Sequence, residues 1–334
     1  MTEKTILVLG AQGVLGQFTA RALQAAGYRV LRGGRRREPA EDFRWVDLDV
    51  PGSLSAALQG VDLVVSSIED PEVRAELEIL RQGGVLLSQA TIRASARRHL
   101  QQVAESGARG TLVLNSGFSG VGALVARQLL EEYPQATSIE LGYIISAGGS
   151  AGLAGSRYIH RLLATQPRLR VQNRKFPAPR GVRPCFDLSD NDEIWLSSEI
   201  SGKRLVQTWL AVAERPLSGL LRLLNKLGLL AHLPQAALTA MVRLKPMPSR
   251  LTCEPMRSRI ALLHNGQLLA ANGVSAEGDY NSTVQSTGLF VRALLDQPEG
   301  AWPPGLYSVE DLFRLEDLRS GLEQNRILVQ ALAE

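Results

Sequence analysis

The chain has 334 residues, a formal net charge of +4, and 45% hydrophobic and 21% charged residues. This composition is typical of a globular protein long enough for two domains. Its basic residues are mainly arginines that are scattered along the sequence. They form no basic stripe interleaved with aromatic residues, so the sequence argues against a nucleic-acid partner.

The cysteine content and the hydropathy of the sequence argue against several further classes of protein. Cys185 and Cys253 are the only cysteines, and neither belongs to a Cys-x-x-Cys pair. This argues against a disulfide framework and a metal site, and it favours a reducing, cytoplasmic compartment. The amino terminus carries no export signal pattern. The most apolar later stretch, residues 216–233, is interrupted by charged residues and is shorter than a membrane span.

Short apolar runs alternate with helical patterns over the first 135 residues. Strands are expected at residues 6–9, 28–31, 62–66, 84–87 and 111–115, and helices at 14–26, 95–104 and 122–132. Continuous apolar strands separated by helices indicate a parallel sheet with helices on both faces. The fold class predicted is therefore α/β, with an N-terminal Rossmann doubly wound parallel sheet.

The pattern changes after residue 135. A strand is expected at residues 138–145, followed by a glycine loop at 148–152 and a polar, proline-containing stretch at 167–184. Two apolar runs flank Asn265-Gly266, which is a strong hairpin signal. These features predict a second α+β domain built on a mostly antiparallel sheet. The expected boundaries are 1–135 for the Rossmann domain, 136–279 for a substrate and dimerisation domain, and 280–334 for helices that pack back on the first domain.

A glycine-rich segment lies between the first strand and the first helix. Its residues are Gly10, Ala11, Gln12, Gly13, Val14, Leu15 and Gly16. In dinucleotide-binding folds such glycines allow a tight turn, admit the pyrophosphate beside the backbone, and let helix and strand approach closely. The N–H groups at the start of the helix then receive the phosphates. The alternative is a tight strand-to-helix turn without a ligand.

The residues after the second strand bear on the choice of cofactor. Arg35 and Arg36 stand where NAD-binding sites place an acidic residue for the ribose 2′-hydroxyl. Guanidinium groups suit a 2′-phosphate instead, so NADP(H) is expected over NAD(H). The alternative is a solvated basic turn. Further contacts are expected from Asp47 and Leu48 at the adenine edge, and from Ser66, Ser67 and Ile68 at the nicotinamide half.

Three segments together resemble a known family. The turn at residues 114–122, the glycine loop at 148–152, and the C-terminal pair of segments 293–295 and 303–312 are similar to those of saccharopine dehydrogenase-like NAD(P)-dependent oxidoreductases. Ser116 replaces the cysteine of the family turn, and Ser119-Gly120 replaces its Asp-Pro. Ser88 stands where many members carry aspartate at the end of a strand.

The resemblance implies a Rossmann domain completed by C-terminal helices and a middle domain that often mediates homodimers. It also implies hydride transfer at a carbon bonded to nitrogen, between an amino acid and a carbonyl partner. The substrate is expected near Gly117-Phe118 and residues 148–160.

Catalytic candidates are few. No tyrosine has a lysine four positions later, which excludes the short-chain dehydrogenase arrangement. Of four histidines, His160 is the best acid–base candidate because it lies early in a helix beside Arg157 and Tyr158. An arginine there suits a substrate carboxylate. An ordinary amphipathic helix with surface Arg and His remains the alternative.

Two functions follow from these observations. The first is an NADP(H)-dependent oxidoreductase that acts on a small amino-acid- or carbonyl-derived substrate. The second is a catalytically silent dinucleotide-binding sensor or scaffold, which the scarcity of acid–base residues favours.

Overall fold

The structure, a computed structural model, describes residues 4–115, 119–146, 153–192, 196–234, 255–298 and 301–333. The chain divides into two compact units. The first comprises residues 1–120, 192–194 and 283–312, and the second comprises 121–191, 195–282 and 313–334.

Fourteen strands are present in the described residues. They are β1 (Thr5–Leu9), β2 (Arg29–Gly34), β3 (Phe43–Trp45), β4 (Leu63–Ser66), β5 (Gly84–Ser88), β6 (Gly110–Leu114), β7 (Ser138–Ile145), β8 (Val171–Phe176), β9 (Gly181–Asp187), β10 (Leu205–Val212), β11 (Pro255–His264), β12 (Gln267–Glu277), β13 (Gly305–Ser308) and β14 (Leu328–Ala331).

The helices of the described residues are α1 (Val14–Ala25), α2 (Ser53–Ala57), α3 (Arg74–Gln82), α4 (Ala94–Glu105), α5 (Val121–Glu132), α6 (Leu153–Leu163), α7 (Ser198–Ser201), α8 (Arg215–Lys226), α9 (Asp279–Leu295), α10 (Val309–Leu312) and α11 (Leu315–Gln324). A short 3₁₀ turn covers Leu230–His232. Among these helices, none combines the length and the apolar character that crossing a bilayer requires.

The first unit contains a parallel sheet in the order β13-β6-β5-β4-β1-β2-β3. Every residue of β1 is buried, as expected for a central strand covered on both faces. Leu7 and Leu9 pack with Ile79 and Leu80 of α3 in one apolar cluster. The predicted Rossmann sheet is therefore confirmed, and its strand order leaves the carboxyl ends of β1 and β4 side by side.

The second unit contains a seven-stranded sheet in the order β14-β12-β11-β7-β10-β9-β8. Only the β7–β10 pair is parallel, and the other neighbouring pairs are antiparallel. The predicted mostly antiparallel sheet is thus confirmed. So is the β11–β12 hairpin, in which Asn265 and Gly266 take φ values of 49° and 83°.

Two strands lie in the stretch that sequence reasoning described only as polar and proline-containing. β8 and β9 pair antiparallel there, with Val171 opposite Phe186. Their polar side chains contact other parts of the same sheet: Arg174 donates to Glu140 at 2.6 Å and lies over the ring of Trp209. A charged strand residue packed on an aromatic ring breaks the apolar alternation by which strands are recognised.

Candidate functional site

The glycine loop forms a tight turn at the carboxyl end of β1. Gly10 has φ +77°, and its N–H and that of Ala11 both donate to the Gly33 carbonyl, at 3.1 and 3.2 Å. The Gly13 N–H closes the turn on the Gly10 carbonyl at 2.8 Å. These bonds hold the loop against β2 without using any side chain.

Gly16 and Gly13 meet two different requirements of this turn. A Cβ atom on Gly16 would lie 2.3 Å from the Gly10 carbonyl oxygen, so α1 approaches β1 closely only because Gly16 has no side chain. Gly13 is the exposed N-cap of α1 and makes no side-chain cap bond. The N–H groups at the start of the helix, including those of Val14 and Leu15, lack intrahelical acceptors. Together with the helix dipole they form a site for an anion.

Gln12 connects the glycine loop to the turn after β2. Its Nε2 donates to the Arg36 carbonyl at 2.7 Å and to Glu38 Oε1 at 2.8 Å, and its Oε1 accepts from the Arg36 N–H. A Cβ on Gly34 would lie 2.6 Å from Gln12 Oε1, so glycine at position 34 leaves room for this bridge. The hydrogen bonds of Gln12 therefore join the glycine loop to the turn that carries Arg35 and Arg36, which is called the arginine turn below.

The arginine turn presents two charges without a carboxylate partner. Arg35 and Arg36 are exposed and form no ion pair with any described residue. Arg37 instead lies over the Trp45 ring, with its guanidinium carbon 4.5 Å from the ring centroid. Glu38 follows the turn, but its two oxygens accept from Gln12 and from Arg32, the latter at 2.9 Å. The acidic group nearest this turn in sequence is therefore already engaged, which sequence reasoning missed.

The carboxyl ends of β4, β5 and β6 collect polar side chains. Ser67 donates to Gln89 Oε1, and Gln89 Nε2 donates to Thr287 at 2.7 Å and to Thr19 at 3.2 Å. The buried Ser66 hydroxyl and Asn115 Oδ1 have no partner among the described residues. Buried polar atoms without a partner are uncommon in folded proteins, and both of these lie at the edge where Rossmann sheets bind their ligands.

The other expected cofactor contacts lie close to this edge. Ile68 Cγ1 would be 3.2 Å from a Cβ on Gly10, so its side chain lies beside the glycine loop. Asp47 Oδ1 accepts from the Asp49 N–H at 3.1 Å, which fixes the carboxylate in a local turn. Leu48 packs against the apolar cluster of the first unit. Contact of any of these residues with a cofactor stays a prediction.

A buried acid lies next to the same strand ends. Glu76 of α3 is 2% exposed and accepts a 2.9 Å hydrogen bond from Ser88, the residue in register with Ser66. Burial raises the pKa of Glu76, against the opposing effect of hydrogen bonds that include the one from Ser88. Sequence reasoning did not identify this buried acid, because only the folded chain brings α3 onto Ser88.

The predicted catalytic residues lie on α6 of the second unit. Arg157 is exposed and Tyr158 is buried, with the Arg161 guanidinium over its ring. His160 Nε2 lies 2.6 Å from the Leu233 carbonyl oxygen, which requires the ring proton on Nε2 and leaves Nδ1 as the basic nitrogen. The catalytic role of these residues stays a prediction. Residues 116–118 and the glycine loop at 148–152 lie outside the described residues.

Comparison with known proteins gives one sequence-family match. Residues 6–82 match the NAD dependent epimerase/dehydratase family, a segment of less than a quarter of the chain. It runs from β1 through α3 and includes the glycine loop and the arginine turn. No curated protein matches the whole sequence significantly.

Similar solved structures are distant. A meso-DAPDH variant with DAP from Clostridium tetani is 12% identical, with a TM-score of 0.47 over 95% of this chain and 99% of that one. Dipicolinate-bound dihydrodipicolinate reductase from Paenisporosarcina is 10% identical, with a TM-score of 0.43 over 93% and 100%. A putative myo-inositol dehydrogenase from Sinorhizobium meliloti is 12% identical, with a TM-score of 0.42 over 99% and 100%. The resemblance to saccharopine dehydrogenase-like proteins stays a prediction.

Proposed function

We propose that this protein is an NADP(H)-dependent oxidoreductase that transfers hydride to or from a small amino-acid- or carbonyl-derived substrate. The observation that carries the proposal is the surface made by the glycine loop and the arginine turn. Backbone N–H groups of α1 suit a pyrophosphate, and Arg35 and Arg36 suit a 2′-phosphate. The match to an NAD-dependent family over residues 6–82 supports the same cofactor class.

The engagement of Glu38 supports NADP(H) over NAD(H). An NAD site needs a free carboxylate to accept hydrogen bonds from the ribose hydroxyls. Both Glu38 oxygens already accept from Gln12 and Arg32, and Arg32 also pairs with Asp42 at 2.8 Å. A ribose hydroxyl would have to share Glu38 with these two donors, whereas Arg35 and Arg36 form no ion pair with a described residue.

The residues described above are compatible with a bound nicotinamide dinucleotide, and the protein itself has few chemical roles in the proposed reaction. The cofactor supplies the hydride chemistry, and the protein supplies binding, orientation and electrostatics. The glycine loop receives the pyrophosphate, and the polar groups at the ends of β4, β5 and β6 hold the nicotinamide half. We assign carboxylate binding to Arg157 and proton exchange to His160 through Nδ1, with Tyr158 as their neighbour on α6.

A catalytically silent sensor is the second candidate. The observation that favours it is the bond between His160 and the Leu233 carbonyl, which gives this ring a structural role of its own. A sensor would bind NADPH and respond to it without turnover. The homodimer and cytoplasmic location expected from the sequence belong to either candidate.

The test is a titration of NADPH and NADH into the full chain, followed by an absorbance assay with a panel of amino acids and keto acids. We expect NADPH to bind more tightly than NADH and at least one substrate pair to change NADPH absorbance. Absence of binding by either cofactor would overturn the proposal. Tight NADPH binding without turnover across the panel would instead select the sensor.

A further inference from the structure

A group of basic side chains lies at the carboxyl ends of β7 and β10 in the second unit. Its members, here called the arginine cluster, are Arg180, Arg183, Arg215 and Arg257. Arg257 is in register with Ile144 near the end of β7, and Arg183 donates to the Ala213 carbonyl just after β10, at 3.1 Å. The four residues come from three different parts of the sequence.

Backbone contacts fix the position of the Arg257 side chain. Arg257 Nε donates to the Ala178 carbonyl at 3.0 Å, which ties β11 to the turn that holds Arg180. Its Nη1 donates to the Met256 carbonyl at 2.8 Å and to the Ala276 carbonyl at 3.3 Å. These bonds engage Nε and Nη1 and leave Nη2 without a described acceptor.

No member of the cluster forms an ion pair with a described residue. The Nε atoms of Arg180 and Arg183 are buried without a hydrogen-bond partner. Glu214, next to Arg215 in sequence, accepts from Ser146. Elsewhere in the same unit, Arg174 and Arg259 share the carboxylate of Glu140 at 2.6 and 2.8 Å. The largely buried Arg174 and Arg259 are thus paired with a carboxylate, whereas the partly or fully exposed members of the cluster form no such pair with a described residue.

This arrangement is electrostatically unfavourable in the absence of an anion. Burial and the charges of Arg215 and Arg180 lower the pKa of Arg183, and burial and Arg180 lower that of Arg257. Both groups stay charged at neutral pH because the ordinary pKa of arginine is far above it. An anion would relieve all of these effects at once.

We propose that the arginine cluster is a binding site of the second unit for a small molecule that carries carboxylate groups. Guanidinium forks bind planar carboxylates through paired hydrogen bonds, and the Nη2 of Arg257 and the exposed side chain of Arg215 have no described acceptor. The preference for carboxylate over phosphate rests on the proposed function, because molecules derived from amino acids or keto acids carry a carboxylate; this site is additional to the one proposed at Arg157. The need for an anion rests on the cluster alone.

The experiment is calorimetric titration of the full chain with glutarate and, separately, with inorganic phosphate, without any nicotinamide cofactor. The variants are Arg180→Gln and Arg215→Gln, whose side chains make no described hydrogen bond and which should therefore fold. Arg222→Gln is the matched control, because Arg222 is an exposed arginine on the same helix as Arg215. We expect glutarate to bind the wild type, each cluster variant to bind about tenfold or more weakly, and the control to match the wild type.

Failure of the wild type to bind glutarate would overturn the site. Equal weakening in the Arg222→Gln control would also overturn it, since the effect would then be net charge alone. Tighter binding of phosphate than of glutarate would overturn the carboxylate assignment. NADPH affinity is measured in the same proteins and should not change in the cluster variants. A wild type that binds glutarate but not NADPH would leave this site standing while the proposed function fails.

Discussion

The glycine loop and the arginine cluster both concentrate positive potential at the carboxyl ends of parallel strands, but by different means. The glycine loop uses backbone N–H groups from residues 10–16, which carry no net charge. The arginine cluster uses side chains spread from residue 180 to residue 257, and their charges repel one another. Close packing restricts which residues the glycine loop can contain, as at Gly16, whereas repulsion between like charges destabilises the arginine cluster.

This difference gives the two regions opposite sensitivities. A substitution in the glycine loop acts through the size and the charge of the side chain that it places beside the phosphates of the dinucleotide. A substitution in the arginine cluster removes a charge that the unliganded protein does not need. Loss of binding with unchanged folding is therefore expected in both regions, but through an added charge in the first and a deleted charge in the second.

The largest expected effect is that of Gly13→Asp on dinucleotide binding. Gly13 is exposed with φ −90° and ψ 167°, which any residue can adopt, so the variant should fold. A carboxylate at the start of α1 would repel the pyrophosphate and weaken NADPH binding about hundredfold or more. Calorimetry and thermal unfolding measure the two properties.

Gly13→Asn is the control for this variant because it has nearly the same size without the charge. We expect it to bind NADPH more tightly than Gly13→Asp. A folded Gly13→Asp protein with wild-type affinity would remove the phosphate role from the loop.

The next effect concerns α6. His160→Ala should lower kcat about hundredfold if His160 exchanges a proton with the substrate, while Arg157→Ala should mainly raise KM. His160→Gln is the informative partner variant, since its amide can still donate to the Leu233 carbonyl. Steady-state kinetics with normal kcat in His160→Gln would show that the ring serves only that contact.

The choice of cofactor gives a smaller effect. A charge-assisted contact contributes about 1.5–3 kcal/mol, and two arginines that meet one phosphate need not add. We therefore expect the wild type to prefer NADPH over NADH by about tenfold to a few hundredfold, and less at high salt. Arg35→Ala combined with Arg36→Ala should remove most of this preference and leave NADH affinity unchanged.

Arg29→Ala is a control for the loss of a single positive charge from the same strand. Arg29 is exposed at the opposite end of the same strand, so its removal changes net charge without touching the arginine turn. Titrations of both cofactors at two salt concentrations decide the matter. If the double variant still prefers NADPH, Arg35 and Arg36 form a solvated turn that does not bind the 2′-phosphate.

The smallest expected effect is on the stability of the first unit, which contains the buried carboxyl group of Glu76. The pKa of Glu76 is raised in the folded protein above about 4.3, its value in an unfolded chain. The folded state then holds more protons, so stability falls as pH rises from that value through the folded-state pKa. Glu76→Gln should raise the unfolding temperature by about 2–4 °C at pH 8 and change it little near pH 4.

Glu72→Gln, at an exposed neighbouring position, is the control for the buried acid. Thermal unfolding across the pH range should show no comparable pH-dependent gain for it. A Glu76→Gln protein that is destabilised equally at both pH values would mean that the pKa of Glu76 is the same in the folded and unfolded states.

Much of the first unit could be predicted from the sequence because its signals are local. The apolar strand before Gly10, the glycine spacing, and the helix that follows lie within 25 residues of one another. The β11–β12 hairpin is equally local, since Asn265-Gly266 specifies its turn. Each of these features depends on neighbours along the chain, so a linear reading is sufficient.

Other features were decided only by tertiary structure. β13 joins the first sheet beside β6 although some 190 residues separate them, with Gly305 opposite Thr111. β8 and β9 form in a polar stretch because Glu140 and Trp209 receive Arg174. Glu38 is engaged because Gln12 reaches it across the turn. The arginine cluster likewise exists only after β11, α8 and the β8–β9 turn meet, because charge interaction depends on distance in space and not along the chain.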